Sequence, residues 1–389
     1  MALIDIWKKS PDQVTSKRLQ QIIGFAGSGK LKDDNDASHE FRTFLAHVPS
    51  SLLAHYADEC LSDKFDDSGL ALQDVVNQMG RRLGFSVTDG RYRGTSTHVG
   101  FDGIWQSPGG HSLIVEVKTT DAYRIDLNAI AGYRRSLMAS GRLKEDESSM
   151  LIVVGRQDTG DVEAQIRGSR HAWDVRLISL GALSRLMKLK EEVEDPAIIA
   201  KIYDILRPGE FTKVDGIIDL VFSTAEEVGQ ETEEVEEDEG VRKPKFVPVT
   251  FHDACVKRIQ RHLQATLIRR SRATYTAPDS SLAVICMVSR EHPAPGGAFY
   301  WFAFHPYQRD ALGGTPRSYV AFGCGSEAKL LLIPFEKFRS WLDDLNVTKK
   351  ESRFYWHVHI HEDEGSYTLH RKQGKSRLNV TEYLIAADS

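Results

Sequence analysis

Residues 113–118, Leu-Ile-Val-Glu-Val-Lys, constrain this chain more than any other stretch. A run so rich in branched apolar residues reads as a buried strand, yet Glu116 and Lys118 are set into it. Side chains two apart on a strand share a face. Glu116 and Lys118 therefore stand side by side, with Val115 and Val117 turned the other way. Full charges in an apolar strand are costly unless they have partners or a task. Upstream, Gly100-Phe101-Asp102-Gly103-Ile104-Trp105 reads as a second strand, and Gln106–Ser112 is dense in turn residues, which predicts a hairpin. The hairpin brings Asp102 beside Glu116. Two carboxylates and a backbone carbonyl suit Mg²⁺, with Mn²⁺ as a substitute.

The flanking pattern predicts a mixed α/β sheet between helices. Residues 67–84 have helical apolar spacing in Leu70, Leu72, Val75, Val76, Met79 and Leu83, and a strand begins at Gly84–Val87. After the hairpin, 125–143 reads as a helix, 150–155 and 175–178 as strands, and 180–192 as a helix. Residues 1–66 read as a helical extension packing on this core, with a break at Pro49. The core domain is expected over 67–224, closed by helices in 196–222.

Charge divides the rest. Residues 226–239 hold nine acids and no base, so 225–245 reads as a solvated linker. Residues 246–389 carry 19 Lys and Arg against 14 Asp and Glu and read as a second, α+β domain. It opens with a basic helix, 253–270, and continues in short aromatic strands at 282–288, 298–304, 318–322, 330–334 and 353–360, with a helix at 335–345. The net charge of −5 argues against a simple basic nucleic-acid coat. No apolar run is long enough to span a bilayer, and the first residues lack the order of a signal peptide, so a cytoplasmic protein is expected. Cys60, Cys255, Cys286 and Cys324 are scattered, without a C-x-x-C pair.

The order Asp102, thirteen residues, then Glu116-Val117-Lys118, with a helix before and a helix and strand after, resembles the restriction-endonuclease-like, or PD-(D/E)XK, nuclease superfamily over about residues 67–190. The resemblance implies a metal-dependent DNA endonuclease, restriction-like in bacterial defence. The alternatives are a structure-specific repair or recombination nuclease, and a non-catalytic DNA- or protein-binding module on the same fold. It also implies that Asp102, Glu116 and the Val117 carbonyl ligate the metal, while Lys118 orients or helps deprotonate the attacking water. Many members carry a helix Glu where counting back from Gly84 lands on Gln73, beside Asp74; Gln73 offers an oxygen without a charge. The Gln-x-x-x-Tyr submotif of helicase-associated members is absent from Asn128–Tyr133. Cutting both strands favours a homodimer.

Candidate DNA contacts follow from position. Thr119, Thr120 and Tyr123 come directly after the lysine. Gln165, Arg167, Arg170 and His171 lie in a polar, basic segment between two strands. Lys257, Arg258 and Arg261 on the basic helix can track a phosphate backbone. Arg134 and Arg135 read as a solvated helix face. The aromatic clusters at 300–302 and 354–356 leave room for a base, a small ligand or a partner protein. His357, His359 and His361 share one strand face but rarely converge as a ligand set from such spacing. Gly24–Lys30 has the glycine and lysine spacing of a phosphate loop, but Leu31 stands where Ser or Thr is needed, and a flexible loop is expected.

Overall fold

The computed structural model describes residues 2–63, 65–93, 100–119, 125–155, 160–208, 251–294, 297–350 and 353–386. The expected linker, 225–245, and residues 209–222 of the expected closing helices lie outside these. The protein is an α/β protein with several sheets. It divides into two compact units, Met1–Val193 with Ala197–Glu226, and Glu194–Pro196 with Glu227–Ser389. No described helix is long and apolar enough to cross a membrane.

The first unit opens with five helices, α1 (Leu3–Lys9), α2 (Pro11–Thr15), α3 (Leu19–Phe25), α4 (Asp36–His47) and α5 (Ser50–Ser62). Gly24 lies inside α3, so the glycine-rich segment is a helix end and turn rather than a flexible loop, and no strand precedes it. Helix α6 (Ser68–Leu83) stops at Gly84, whose φ of 102° suits a residue without Cβ. Strands β1 (Ser86–Asp89), β2 (Gly103–Gln106) and β3 (Ser112–Lys118) follow, then α7 (Leu127–Ala139), β4 (Ser148–Val154), α8 (Gly160–Arg167), β5 (Val175–Ser179), α9 (Leu180–Glu192) and α10 (Pro196–Leu206). The sheet order is β1-β2-β3-β4-β5, antiparallel through β3 and parallel from there.

Alternation along β3 sorts the core. Leu113 and Val115 pack with α4, α5, α6 and α9, whereas Ile114 packs with α7 and α8. Glu116 and Lys118 continue the Ile114 row, so both charges project from the face that α7 covers. Two expectations change here. The polar, basic segment read at 163–171 opens in a helix, 160–167, where Val162 and Ile166, four apart, are both buried. Strand β2 starts at Gly103, leaving Asp102 just outside it.

The second unit begins with α11 (His252–Leu263), which stops short of the expected 253–270. Gln264 turns left-handed at φ 50°, Ala265 N–H bonds to Gln260 O, and the Gln260 side chain accepts Leu267 N–H. Arg269 and Arg270 therefore leave the helix. Next come β6 (Ile268–Arg269), β7 (Thr274–Thr276), β8 (Leu282–Ser289), β9 (His292–Ala294), β10 (Gly297–Phe304), α12 (Pro306–Gly313), β11 (Arg317–Cys324), β12 (Leu330–Pro334), α13 (Phe335–Arg339) and a 3-10 turn at Leu342–Asp344. Strands β13 (Val347–Lys350), β14 (Arg353–Asp363), β15 (Ser366–His370) and β16 (Leu378–Asn379) complete it. One sheet runs β16-β15-β14-β10-β9 with β13 beside β14; the other runs β12-β11-β8-β7-β6. Tyr300, Phe302, Val358 and Ile360 meet Ile285, Val320 and Phe322 between the sheets, and α11 covers the far face of the second sheet.

Candidate active site

Asp102 is held by its backbone. Its carbonyl accepts Gly90 N–H (3.0 Å), Asn77 Nδ2 (2.9 Å) and Gln73 Nε2 (3.1 Å), and its N–H donates to Val115 O (3.1 Å). Its carboxylate oxygen Oδ2 accepts Val117 N–H at 2.6 Å, taking the place of a ladder carbonyl, which is why β2 begins only at the next residue. These approaches leave no room for a Cβ at two glycines. One on Gly90 would stand 1.9 Å from Phe101 O, and one on Gly103 2.2 Å from Asn77 Oδ1. Asn77 also accepts the Trp105 indole N–H at 2.9 Å.

The residues read as a site do converge. Lys118 Nζ donates to Glu116 Oε1 at 2.6 Å. Glu116 is 8% exposed, and its other oxygen, Oε2, is buried without a hydrogen-bond partner among the described residues. Burial, and then the Glu116 charge, pushes the Asp102 carboxyl up to about 7, while Val117 N–H and Lys118 pull the other way. Burial works to lower the Lys118 pKa, but Glu116 and Asp102 outweigh it and the net direction is upward. Lys118 is thus held as an ammonium.

An orphaned buried carboxylate oxygen beside a second carboxylate, reluctant to ionise, is the arrangement a cation relieves. Alternation turns the Val117 carbonyl to the same side as its N–H, toward Asp102. The donor set is all oxygen and fits a hard divalent ion such as Mg²⁺ or Mn²⁺. No group of three or more His, Cys, Asp or Glu side chains is gathered as a metal site among the described residues.

Gln73 turns its amide N–H to the Asp102 carbonyl, so it positions the aspartate. Asp74 faces away, paired with Arg42 Nε at 2.8 Å and accepting the Tyr92 hydroxyl. Two residues near the site escaped the sequence reading. Asn77 lies one turn beyond Gln73 on α6, a spacing that puts both amides on one face. Tyr133, on α7, lies within the field of Glu116, Lys118 and Asp102; burial, then Glu116, raises its pKa, so it remains a neutral phenol.

The other expected contacts scatter. Thr119 is exposed after β3; Thr120 and Tyr123 lie outside the described residues. Gln165 is spent on the Ile125 backbone, accepting its N–H (3.0 Å) and donating to its carbonyl (2.6 Å). Arg167 is exposed, while Arg170 and His171 both reach Asn128 Oδ1, at 3.1 and 3.2 Å. Arg134, read as solvated, is buried and holds Glu145 O and Ser148 O. In the second unit Lys257 and Arg261 are exposed, but Arg258 is buried and turned inward onto the carbonyls of Glu327, Ile385 and Ala386. Trp301 Nε1 donates to His357 Nδ1 (3.1 Å), whose Nε2 meets Thr348 Oγ1 (2.8 Å), and His361 stacks flat on His370. The four cysteines are buried free thiols.

No protein-family model matches the chain, and no curated protein matches it.

Proposed function

We propose that the first unit is a metal-dependent endonuclease that hydrolyses phosphodiester bonds in DNA, in the manner of a restriction enzyme. The observation that carries this reading is the unpartnered Glu116 Oε2 beside Asp102, with the Lys118 ammonium on the same rim. A bound divalent ion supplies Lewis-acid charge and lowers the pKa of its water. The chain does the rest. Asp102 and Glu116 provide the anionic cradle, and Gln73 and Asn77 fix Asp102 through its carbonyl. Lys118 gives one hydrogen to Glu116 and keeps two donors for the attacking water or a non-bridging phosphate oxygen. Its raised pKa favours offsetting developing charge over accepting a proton. Tyr133, in the field of these charges, stays a neutral phenol.

The test is incubation of the purified full chain with supercoiled plasmid and Mg²⁺ or Mn²⁺. Nicking that is abolished by EDTA and by Lys118→Ala is expected. Plasmid left intact by the wild type, or nicking equal in Lys118→Ala, refutes the reading. Base-modified and branched substrates separate restriction from repair.

A further inference from the structure

Trp173 is the most exposed large apolar residue among those described, with 70% of its surface open. An indole so displayed has its ring face free for stacking. It sits at the tip of a braced turn after α8. Asp174 N–H bonds to His171 O (3.0 Å), placing Trp173 at the third position of that turn. Before the tip, His171 N–H bonds to Ser169 Oγ (3.1 Å), and Arg170 and His171 both grip Asn128. After it, Asp174 pairs with the buried Arg134 at 3.0 Å. The indole is therefore held out by structure on both sides.

Its surroundings are cationic. Asn128 and Arg135, seven residues apart, share one stripe of α7. Burial, then the charges of Arg170 and Arg135, lowers the His171 pKa. The neighbouring carboxylates are already engaged: Asp174 with Arg134, Asp126 as the N-cap of α7, and Glu163 with Arg167 at 3.5 Å. Arg170, three residues before the indole, and Arg135, whose charge acts on His171, are both exposed.

We propose that Trp173 is a nucleic-acid contact outside the cleavage site, stacking on an unpaired base while Arg170 and Arg135 take the adjoining phosphates. The proposal rests on the DNA reading above and adds to it a contact for unpaired nucleotides beside the duplex that is cut. A base face is open to an indole only where stacking is interrupted, as at a tail, gap or flap.

The experiment measures anisotropy of labelled oligonucleotides with the full chain in EDTA, where no cutting intervenes. A blunt duplex, the same duplex with a single-stranded tail, and a single strand are compared. Trp173→Ala is expected to weaken binding of the tailed and single-stranded DNA about tenfold and Trp173→Phe about threefold or less, with blunt duplex binding unchanged. The double variant Arg135→Ala/Arg170→Ala is expected to reduce the salt dependence by about two phosphate contacts. Trp173→Ala binding within about twofold of wild type on every DNA, with an unchanged circular-dichroism spectrum, overturns the proposal. So does a Trp173 substitution that alters self-association instead of DNA affinity. A protein that cuts nothing but binds tailed DNA through Trp173 sinks the nuclease reading alone; one that cuts, with Trp173→Ala binding unchanged, sinks this contact alone.

Discussion

Each unit contains a lysine grouped with two carboxylates and a tyrosine among its described residues, and the two clusters behave oppositely. Lys118 and Lys329 are almost equally exposed, at 36% and 35% of the side chain, so lysine exposure does not separate them. Lys329 bonds to both Glu291 (3.2 Å) and Glu362 (2.9 Å), and Tyr300 donates to Glu362 at 2.6 Å. Burial works against the Glu362 charge, but these donors outweigh it and hold the carboxyl below its usual range. Lys118 instead serves Glu116 alone, through one oxygen. Asp102 is held near neutral pH by burial and by Glu116, and Glu116 Oε2 is left over. A lysine, two carboxylates and a tyrosine make a closed ion-pair cluster in one unit and an unfinished anionic cradle in the other. Geometry of donation, rather than composition, separates structure from a candidate site.

The largest expected contrast is in activity. Lys118→Ala is expected to lower plasmid nicking by at least about a hundredfold. Lys329→Ala, in the closed cluster, is expected to leave it within about threefold. Equal losses in the two variants dissolve the distinction. Next is metal response. At a hundredfold excess over its dissociation constant, Mn²⁺ is expected to stabilise the wild type by about 2.7 kcal/mol in thermal melts. That shift should vanish in Glu116→Gln and persist in Glu362→Gln. Asn77→Ala removes a donor to the Asp102 carbonyl and strands the Trp105 indole N–H. Urea unfolding is expected to show a loss of about 2 kcal/mol, with weaker nicking in the folded variant. A stability loss without any effect on nicking separates Asn77 from the site.

The smallest effect is the pH dependence, where the sign is diagnostic. Glu362 has a depressed folded pKa, so its stabilisation is present above the ordinary carboxylate range and is lost as pH falls through the folded value. Asp74, fully enclosed, is raised from 3.8 to about 6, chiefly by burial. Its contribution is complete below about 4 and is lost as pH rises through about 6. Melting temperature relative to Glu362→Gln should therefore rise with pH, and relative to Asp74→Asn should fall. Matching slopes would contradict the assignment of either group.

The convergence of Asp102, Glu116 and Lys118 was legible in the chain, because strand alternation and a turn-rich connection leave few other arrangements. So were α9 and α6, the latter through its apolar spacing and its closing Gly84. Asp102 stepping out of β2 was not, since it depends on three donors brought from α6 and the residue after β1. Helix α8 was hidden by its polar surface; only Val162 and Ile166 reveal it. The inward turn of Arg258 and the bracing of Gln165 are tertiary facts that residue type contradicts. Short strands such as β6, β9 and β16 carry too few residues for a period to appear.

Asp102 takes its place from α6, and α6 is tied in turn to the N-terminal helices: the buried Arg82 donates to Ala46 O (3.1 Å) and Val48 O (2.6 Å) at the end of α4. The opening helices are thus the abutment against which the Asp102 carboxylate is braced. A truncation starting at α6, drawn to keep the motif alone, would retain every acid and base of the candidate site yet let its keystone drift.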